Sequence, residues 1–169
     1  MGAVLLAMGC DAAVAPSASL ARPTAQIDAS AWVVAICQAS DQLSLAIVDP
    51  TTGRPSAAWT EFEAAVAAGD EAEIDATGNA VLGHLGQADS SANEALAFEP
   101  GFEAAAAWVG LVQTLRDGVR TIRDGTNAGD AARANEGRAA IQGAIDVAYP
   151  VAAAAMRTVE LGGEPLPCG

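Results

Sequence analysis

Residues 70–95 read DEAEIDATGNAVLGHLGQADSSANEA, and this stretch decides the fold. Apolar and small residues recur along it at alternating intervals of four and three: Ile74, Gly78, Val81, Leu85, Ala88, Ala92 and Ala95. An unbroken seven-residue repeat of this kind is typical of a helix that packs nearly parallel to its neighbours. Asp70 is a favoured helix cap, and the acids just after it suit the positive end of the helix dipole. We therefore predict one long helix that begins after Asp70.

Two helices are predicted before residue 70. The first runs from about Ala29 to Val48, has Asp28 or Ser30 as its cap and ends at Asp49-Pro50. Its apolar face recurs at helical spacing: Trp32, Ile36, Ala39, Leu43 and Ile47. The second is short, from about Ala57 to Ala68, with Ser56 as its cap and Gly69 as its stop.

Two more helices are predicted after residue 98. Pro100 suits the first turn of a helix that closes at Gly125 and buries Trp108, Leu111, Leu115 and Ile122. The last helix follows Asp130, and Pro150 within it predicts a kink or a division into two. No alternating strand pattern is seen in the sequence. The predicted fold is all-α, an up-and-down four-helix bundle with an additional short helix, formed as a single domain by residues 28–169.

The composition agrees with helices and limits the partners. Of the 169 residues, 51% are hydrophobic and 42 are Ala, the best helix former. The chain has no Lys, and its eight Arg stand against 21 Asp and Glu, which leaves a formal net charge of −13. Phosphate backbones and anionic lipid surfaces repel such a chain, so we expect no nucleic-acid partner.

The beginning of the chain carries a pattern of export. A short apolar run, GAVLLAMG, occupies residues 2–9 and ends at Cys10; it is too short to span a bilayer but long enough for the apolar part of an export signal. The residues Leu6-Ala7-Met8-Gly9-Cys10 resemble the lipobox of bacterial lipoproteins, with Ala7 where that family usually has Leu. The resemblance implies cleavage before Cys10, a lipid on its sulfur and a location at the extracytoplasmic side of the cell membrane.

On this interpretation residues 1–9 are the remnant of a signal peptide, and residues 10–27, rich in Ala, Pro and Ser, are a flexible tether. Two alternatives remain open. One is an ordinary apolar N-terminus with a chance cysteine, and the other is cleavage after Ala21.

If Cys10 carries a lipid, Cys37 and Cys168 are left as a pair in an oxidising compartment. Cys168 lies in a tail, LGGEPLPCG at 161–169, whose glycines and prolines disfavour a helix. A bridge would close a very long loop and stabilise the fold by roughly 4–5 kcal/mol as an upper figure. We predict a Cys37–Cys168 disulfide; the alternative is two free thiols, one buried and one in a frayed tail.

Candidate metal and catalytic groups are sparse. His84 is the only histidine, and no carboxylate stands where a Glu-x-x-His metal pair would need it. Six acids and no base fall within residues 61–75: Glu61, Glu63, Asp70, Glu71, Glu73 and Asp75. This segment could attract a cation, but it lacks the alternating ligands and the glycine turn of a calcium loop. We expect no metal, no cofactor and no catalytic residue.

A local repeat places the basic residues together. LRDGV at 115–119 and IRDGT at 122–126 bring Arg116, Arg120 and Arg123 to one helix face, the only basic stripe in this acidic chain. Guanidinium groups suit carboxylates and phosphates, so these three are weak candidates for an anion site. The alternative is a solvated face neutralised by Asp117, Asp124 and the acids of neighbouring helices.

The functional expectation follows from these observations. We expect a non-enzymatic binding or structural module of the cell envelope, exported and attached to the membrane only by its N-terminal lipid. Its partner would be a protein or a small anionic molecule. The alternative is an envelope enzyme or a metal-dependent helical-bundle protein, for which the sequence offers no matching set of nucleophile, base or ligands.

Overall fold

A computed structural model describes residues 26–49, 52–159 and 161. These residues contain no strand, and one isolated antiparallel bridge joins Val48 to Pro55. The helices in chain order are α1 (Ala29–Ala46), α2 (Ala57–Ala68), α3 (Glu71–Ala95), α4 (Phe102–Asn127), α5 (Ala131–Gly143) and α6 (Tyr149–Arg157). A 3-10 turn, Glu99–Gly101, leads into α4, and a π-helical turn, Ala144–Ala148, joins α5 to α6. The predicted all-α class is confirmed for this part of the chain.

Side chains cap four of these helices. Asp28, Ser56, Asp70 and Asp130 each accept a hydrogen bond from the backbone N–H three residues further on. Each such bond satisfies an N–H group that the helix itself leaves unpaired, and its loss typically costs about 1 kcal/mol. The predicted caps are therefore confirmed, and Asp28 rather than Ser30 serves α1.

The long helices pack side by side around one hydrophobic core. α3 contacts both α1 and α4, α4 contacts α5 and α6, and α2 lies chiefly against α3. Every position of the seven-residue repeat on α3 is buried. Trp32, Phe62 and Trp108 are the largest fully buried side chains, and they occupy the space that the many small alanines leave between the helices.

Pro150 does not end the last helix. The helix runs without interruption from Ala131 to Arg157, and a π-helical turn lies directly before the proline. A proline lacks an N–H, and its ring crowds the carbonyl group four residues earlier. The π turn widens the helix at that point, so that the N–H of Tyr149 donates to the carbonyl oxygen of Ala144, five residues back. The predicted kink or division therefore takes the form of a π turn within one continuous helix.

Glycines allow α4 and α5 to approach closely. Gly118 and Gly125, the glycines of the repeat in α4, are both buried and face α5. A Cβ atom at Gly118 would lie 2.6 Å from Cγ1 of Ile141. A Cβ atom at Gly137 of α5 would lie 2.6 Å from the carbonyl oxygen of Gly118. Only glycine fits these positions at the observed helix separation.

Among the described residues, one helix is long and apolar enough to cross a membrane by length and composition: the continuous helix Ala131–Arg157. Its inner side contributes Ile141, Ala144 and Ala152 to the core of the domain. Its outer side is open, and Val147 and Val151 are exposed there. These two valines stand among exposed polar residues of the same helix, such as Glu136, Gln142 and Asp146.

Candidate binding groove

An apolar groove lies where the loop between α1 and α2 faces the π-helical turn. Its inner part, here called the slot, has a volume of about 100 Å³. Its outer part, here called the outer groove, has a volume of about 360 Å³. The two adjoin, because Val48, Gly53 and Ile145 line both of them.

Four segments of the chain build the slot. Its apolar walls come from the end of α1, the loop after it, α4 and the π turn: Leu43, Val48, Leu111, Leu115 and Ile145. Asp49 and Tyr149 are the polar residues that line it. The slot alone is smaller than a usual small-molecule site of about 300–1,000 Å³, but with the outer groove it reaches that range, and it shares the apolar walls and few polar groups of such sites.

Backbone and side-chain hydrogen bonds hold the loop beside the slot. The N–H of Gly53 donates to the carbonyl oxygen of Asp49 at 2.7 Å. The N–H of Asp49 donates to the carbonyl oxygen of Arg54 at 2.9 Å. The hydroxyl of Ser56 donates to the carbonyl oxygen of Ala46 at 2.9 Å, which ties the start of α2 to the end of α1. Gly53 has a φ of 67°, a conformation that favours glycine. The described residues of the loop, 47–49 and 52–56, therefore form one wall of the groove.

Tyr149 packs between the core and the slot. Its ring meets that of Trp108 edge to face, with the ring centroids 6.0 Å apart. Burial raises the pKa of the Tyr149 phenol above its usual 10.0; the charge of Arg157 opposes this shift and the charge of Asp49 adds to it. The phenol is therefore protonated at neutral pH and offers a neutral hydrogen-bonding group at the slot.

The outer groove carries a charged pair and an indole. Trp59 is half-buried and stacks at a tilt on Phe62, with the ring centroids 5.6 Å apart. Nε of Arg138 lies 3.5 Å from Oε1 of Glu63. Oε1 of Glu63 is itself buried and has no hydrogen-bond partner among the described residues. Such an oxygen carries a desolvation cost that a hydrogen-bond donor would remove.

The arginine stripe lies on α4, apart from the groove, and each of its members faces a carboxylate. Arg116 pairs with Asp89 across to α3. Arg120 lies 3.0 Å from a carboxylate oxygen of Asp117 on its own helix. Because each arginine has a carboxylate partner, the stripe offers little unmatched positive charge. Ion pairs of this kind at a surface contribute only about 0–1 kcal/mol each.

Arg123 is the most densely paired member of the stripe. It lies 3.0 Å from Asp124 and 3.9 Å from Asp75. It also donates to Oδ1 of Asn79 at 3.3 Å. Whether an anion binds along the stripe stays a prediction.

His84 and members of the acidic segment 61–75 make contacts that stabilise the fold. Nδ1 of His84 lies 2.9 Å from Oε1 of Gln42, which links α3 to α1. In the acidic segment Asp70 caps α3 and Asp75 accepts a hydrogen bond from Asn127 at 3.0 Å. Within the described ranges, no group of three or more His, Cys, Asp or Glu is placed to hold a metal ion.

The cysteine predictions fall largely outside the described residues. Cys37 lies half-buried on α1. Its predicted partner Cys168, the lipidation candidate Cys10 and the tether up to residue 25 are not among the described residues. The disulfide, the lipid and the tether therefore stay predictions.

Comparison with known proteins adds no relative. No family model, no curated protein and no solved structure matches the chain. The sequence alone predicted no functional role for Trp59, Ile145 or Tyr149. One signal was present for Tyr149: it is the only tyrosine, and it directly precedes the proline at which the helix was expected to change.

Proposed function

We propose that the chain is a non-enzymatic, exported binding module of the bacterial cell envelope, tethered by a lipid on Cys10, and that the groove holds the apolar part of its ligand. The observation that carries the binding role is the slot, an apolar space of about 100 Å³ beside a protonated phenol. A cavity of roughly 150 Å³ is known to accept benzene, so the slot, with about two thirds of that volume, has room for only a few methylene groups. The outer groove gives space for the rest of such a molecule.

The π-helical turn supports this proposal. Turns of this kind are rare and occur often at functional sites, because they widen a helix and change the direction of its side chains. Here the turn supplies Ile145 and leads directly to Tyr149, and both line the slot. A lipid at Cys10 would hold the groove near the membrane surface, where apolar ligands are concentrated.

Calorimetric titration with n-octyl glucoside below its micellar concentration tests the binding role. The probe is neutral and carries one alkyl chain, so its binding should bury apolar surface and give a negative heat-capacity change. Replacing Ile145 with Phe should fill the slot and weaken binding at least about tenfold, which corresponds to about 1.4 kcal/mol. The matched control is Val147→Phe, which adds a similar ring on the exposed side of the same turn.

Two outcomes would contradict the binding role. One is the absence of binding to the wild-type protein. The other is equal weakening by both variants, which would place the probe on the outer face of the helix instead of in the groove.

We also infer that α1, α3, α4 and the helix 131–157 form the up-and-down bundle that the sequence predicts, with α2 as the additional helix. The inference is supported by the contacts of α3 with α1 and α4, and of α4 with α5 and α6. The connections after α3 and α4 are also short, which favours antiparallel neighbours.

A further inference from the structure

We propose that the ligand of the groove carries a positively charged ammonium group next to its alkyl chain, and that Glu63 and Trp59 receive that group. This inference rests on the binding role proposed above, because it concerns the same groove. The ligand is then a cationic amphiphile with a primary ammonium head.

Glu63 provides the first support. It lines the outer groove, and its buried Oε1 faces Nε of Arg138 at 3.5 Å without a hydrogen bond from any described residue. Oε1 itself is covered, but the side chain as a whole is 37% exposed, so a bound group can approach the rest of the carboxylate from the groove. An ammonium group in the groove would donate to this carboxylate in a charge-assisted hydrogen bond, a stronger interaction than one between neutral groups.

Arg138 decides between a cationic and an anionic head. Its guanidinium already faces Glu63 at 3.5 Å and donates to Oδ1 of Asn135 at 3.3 Å. An anionic head would therefore compete with the Glu63 carboxylate for an arginine that has partners. A cationic head would instead donate a hydrogen bond to the Glu63 carboxylate, because the contact of that carboxylate with Arg138 is longer than a good hydrogen bond.

Two further features of the groove favour a cation. The ring of Trp59 lines the outer groove, and an indole face is the best aromatic partner for an ammonium group. Asp49 adds negative charge at the slot, and the chain as a whole has a formal net charge of −13, which attracts cations and repels anions. The apolar walls and the negative charge therefore occur together in one groove.

Three probes with the same chain and different heads test the inference: octylammonium, n-octyl glucoside and octyl sulfate, each below its micellar concentration. Binding to the full chain is followed by calorimetry and by Trp fluorescence. Trp59 is the reporter, because Trp32 and Trp108 are fully buried. We expect octylammonium to bind about five- to tenfold more tightly than the glucoside, with a preference that falls as salt is added. Octyl sulfate should bind most weakly.

A matched pair of variants separates Glu63 from general charge. Glu63→Gln keeps the shape of the side chain, and it should remove most of the ammonium preference while leaving binding of the glucoside unchanged. Glu61→Gln changes the net charge by the same amount at an exposed position on the same helix, and it should keep the preference. Arg138→Gln provides a second measurement that does not depend on Glu63→Gln folding; loss of the competing cation should tighten octylammonium binding about threefold.

The possible contrary results of these measurements distinguish the ammonium inference from the apolar binding role. Equal binding of the three probes, or a preference for octyl sulfate, would overturn the ammonium inference and leave the apolar binding role standing. An equal loss in Glu63→Gln and Glu61→Gln would overturn it as well, because the preference would then come from the overall charge. Failure of all three probes to bind would overturn both the inference and the proposed function.

Discussion

Substituting Gly137 with Ala tests the close approach of α4 and α5. The added Cβ would lie 2.6 Å from the carbonyl oxygen of Gly118 and 2.8 Å from the backbone nitrogen of Ile122. Ordinary van der Waals contacts of a Cβ begin at 3.4 Å, so the first distance is short by about 0.8 Å. Because both obstructing atoms belong to the backbone of α4, no change of side-chain rotamer relieves the contact, and α5 must move away.

The magnitude follows from two opposing terms. Overpacking of a core costs about 1–3 kcal/mol, and a backbone obstacle places this case at the upper end. Alanine is better than glycine inside a helix by about 1 kcal/mol, which offsets part of that cost. We therefore expect Gly137→Ala to lower the free energy of unfolding by about 2 kcal/mol. The corresponding fall in Tm is roughly 4–8 °C for a domain of this size.

Urea denaturation followed by circular dichroism measures this change, and α5 offers a matched control. A Cβ at Gly143, on the same helix, would meet no atom within 4 Å. Gly143→Ala should therefore raise the free energy of unfolding by about 0.5–1 kcal/mol, since only the helix propensity changes. The reasoning would be refuted if Gly137→Ala were as stable as Gly143→Ala, because α4 and α5 would then be further apart than the structure has them.

Three further predictions concern single groups. Tyr149 is the only tyrosine, so ultraviolet titration should show one phenol whose pKa lies above 10.0. The unfolded chain loses this proton first, so stability should fall as the pH rises past 10.0 towards the folded pKa; a midpoint at or below 10.0 would contradict the burial of the ring. Mass spectrometry of the native protein should find a mature N-terminus at Cys10 carrying lipid, and a mature chain that begins elsewhere would disprove the lipidation. Thiol titration of the oxidised protein under denaturing conditions should find Cys37 and Cys168 unreactive, whereas two reactive thiols would exclude the bridge.

The helices themselves could be predicted from the sequence, because their causes are local. A cap such as Asp28 or Ser56 acts on a backbone group three residues away, and Gly69 ends α2 through its own left-handed conformation. The seven-residue repeat on α3 likewise identified the buried face, since helical geometry alone places those residues in one line.

Only the tertiary structure shows which side of α4 packs against α5. The repeat of Arg, Asp and Gly was visible in the sequence, and it drew attention to the arginines as candidates for a ligand. In the structure the arginines have carboxylate partners, while Gly118 and Gly125 form the close contact with α5. Both sides of a helix share the same period, so sequence spacing alone could not tell which of them meets another helix.

Pro150 shows a second limit of local reasoning. Its missing N–H predicts that the helix must change, and a kink, a break and a π turn all satisfy that requirement. Both halves of the helix contact α4, and Ile141 on one side of the turn and Ala152 on the other are buried in the core. The packing favours the solution that keeps the helix continuous, and this is a property of the assembled core.

The groove depends wholly on tertiary structure. Its walls come from two parts of the chain that are distant in sequence: the end of α1 with the loop and α2 after it, and α4 with α5 and the π turn. Local periodicity assigns Leu115 and Ile145 to apolar faces, but it does not say whether those faces meet tightly or leave a space. That outcome depends on the helix separations, which the glycine contacts and the π turn set together. The sequence alone therefore determined the helices and their buried faces, and the packing of those faces decided where a ligand could bind.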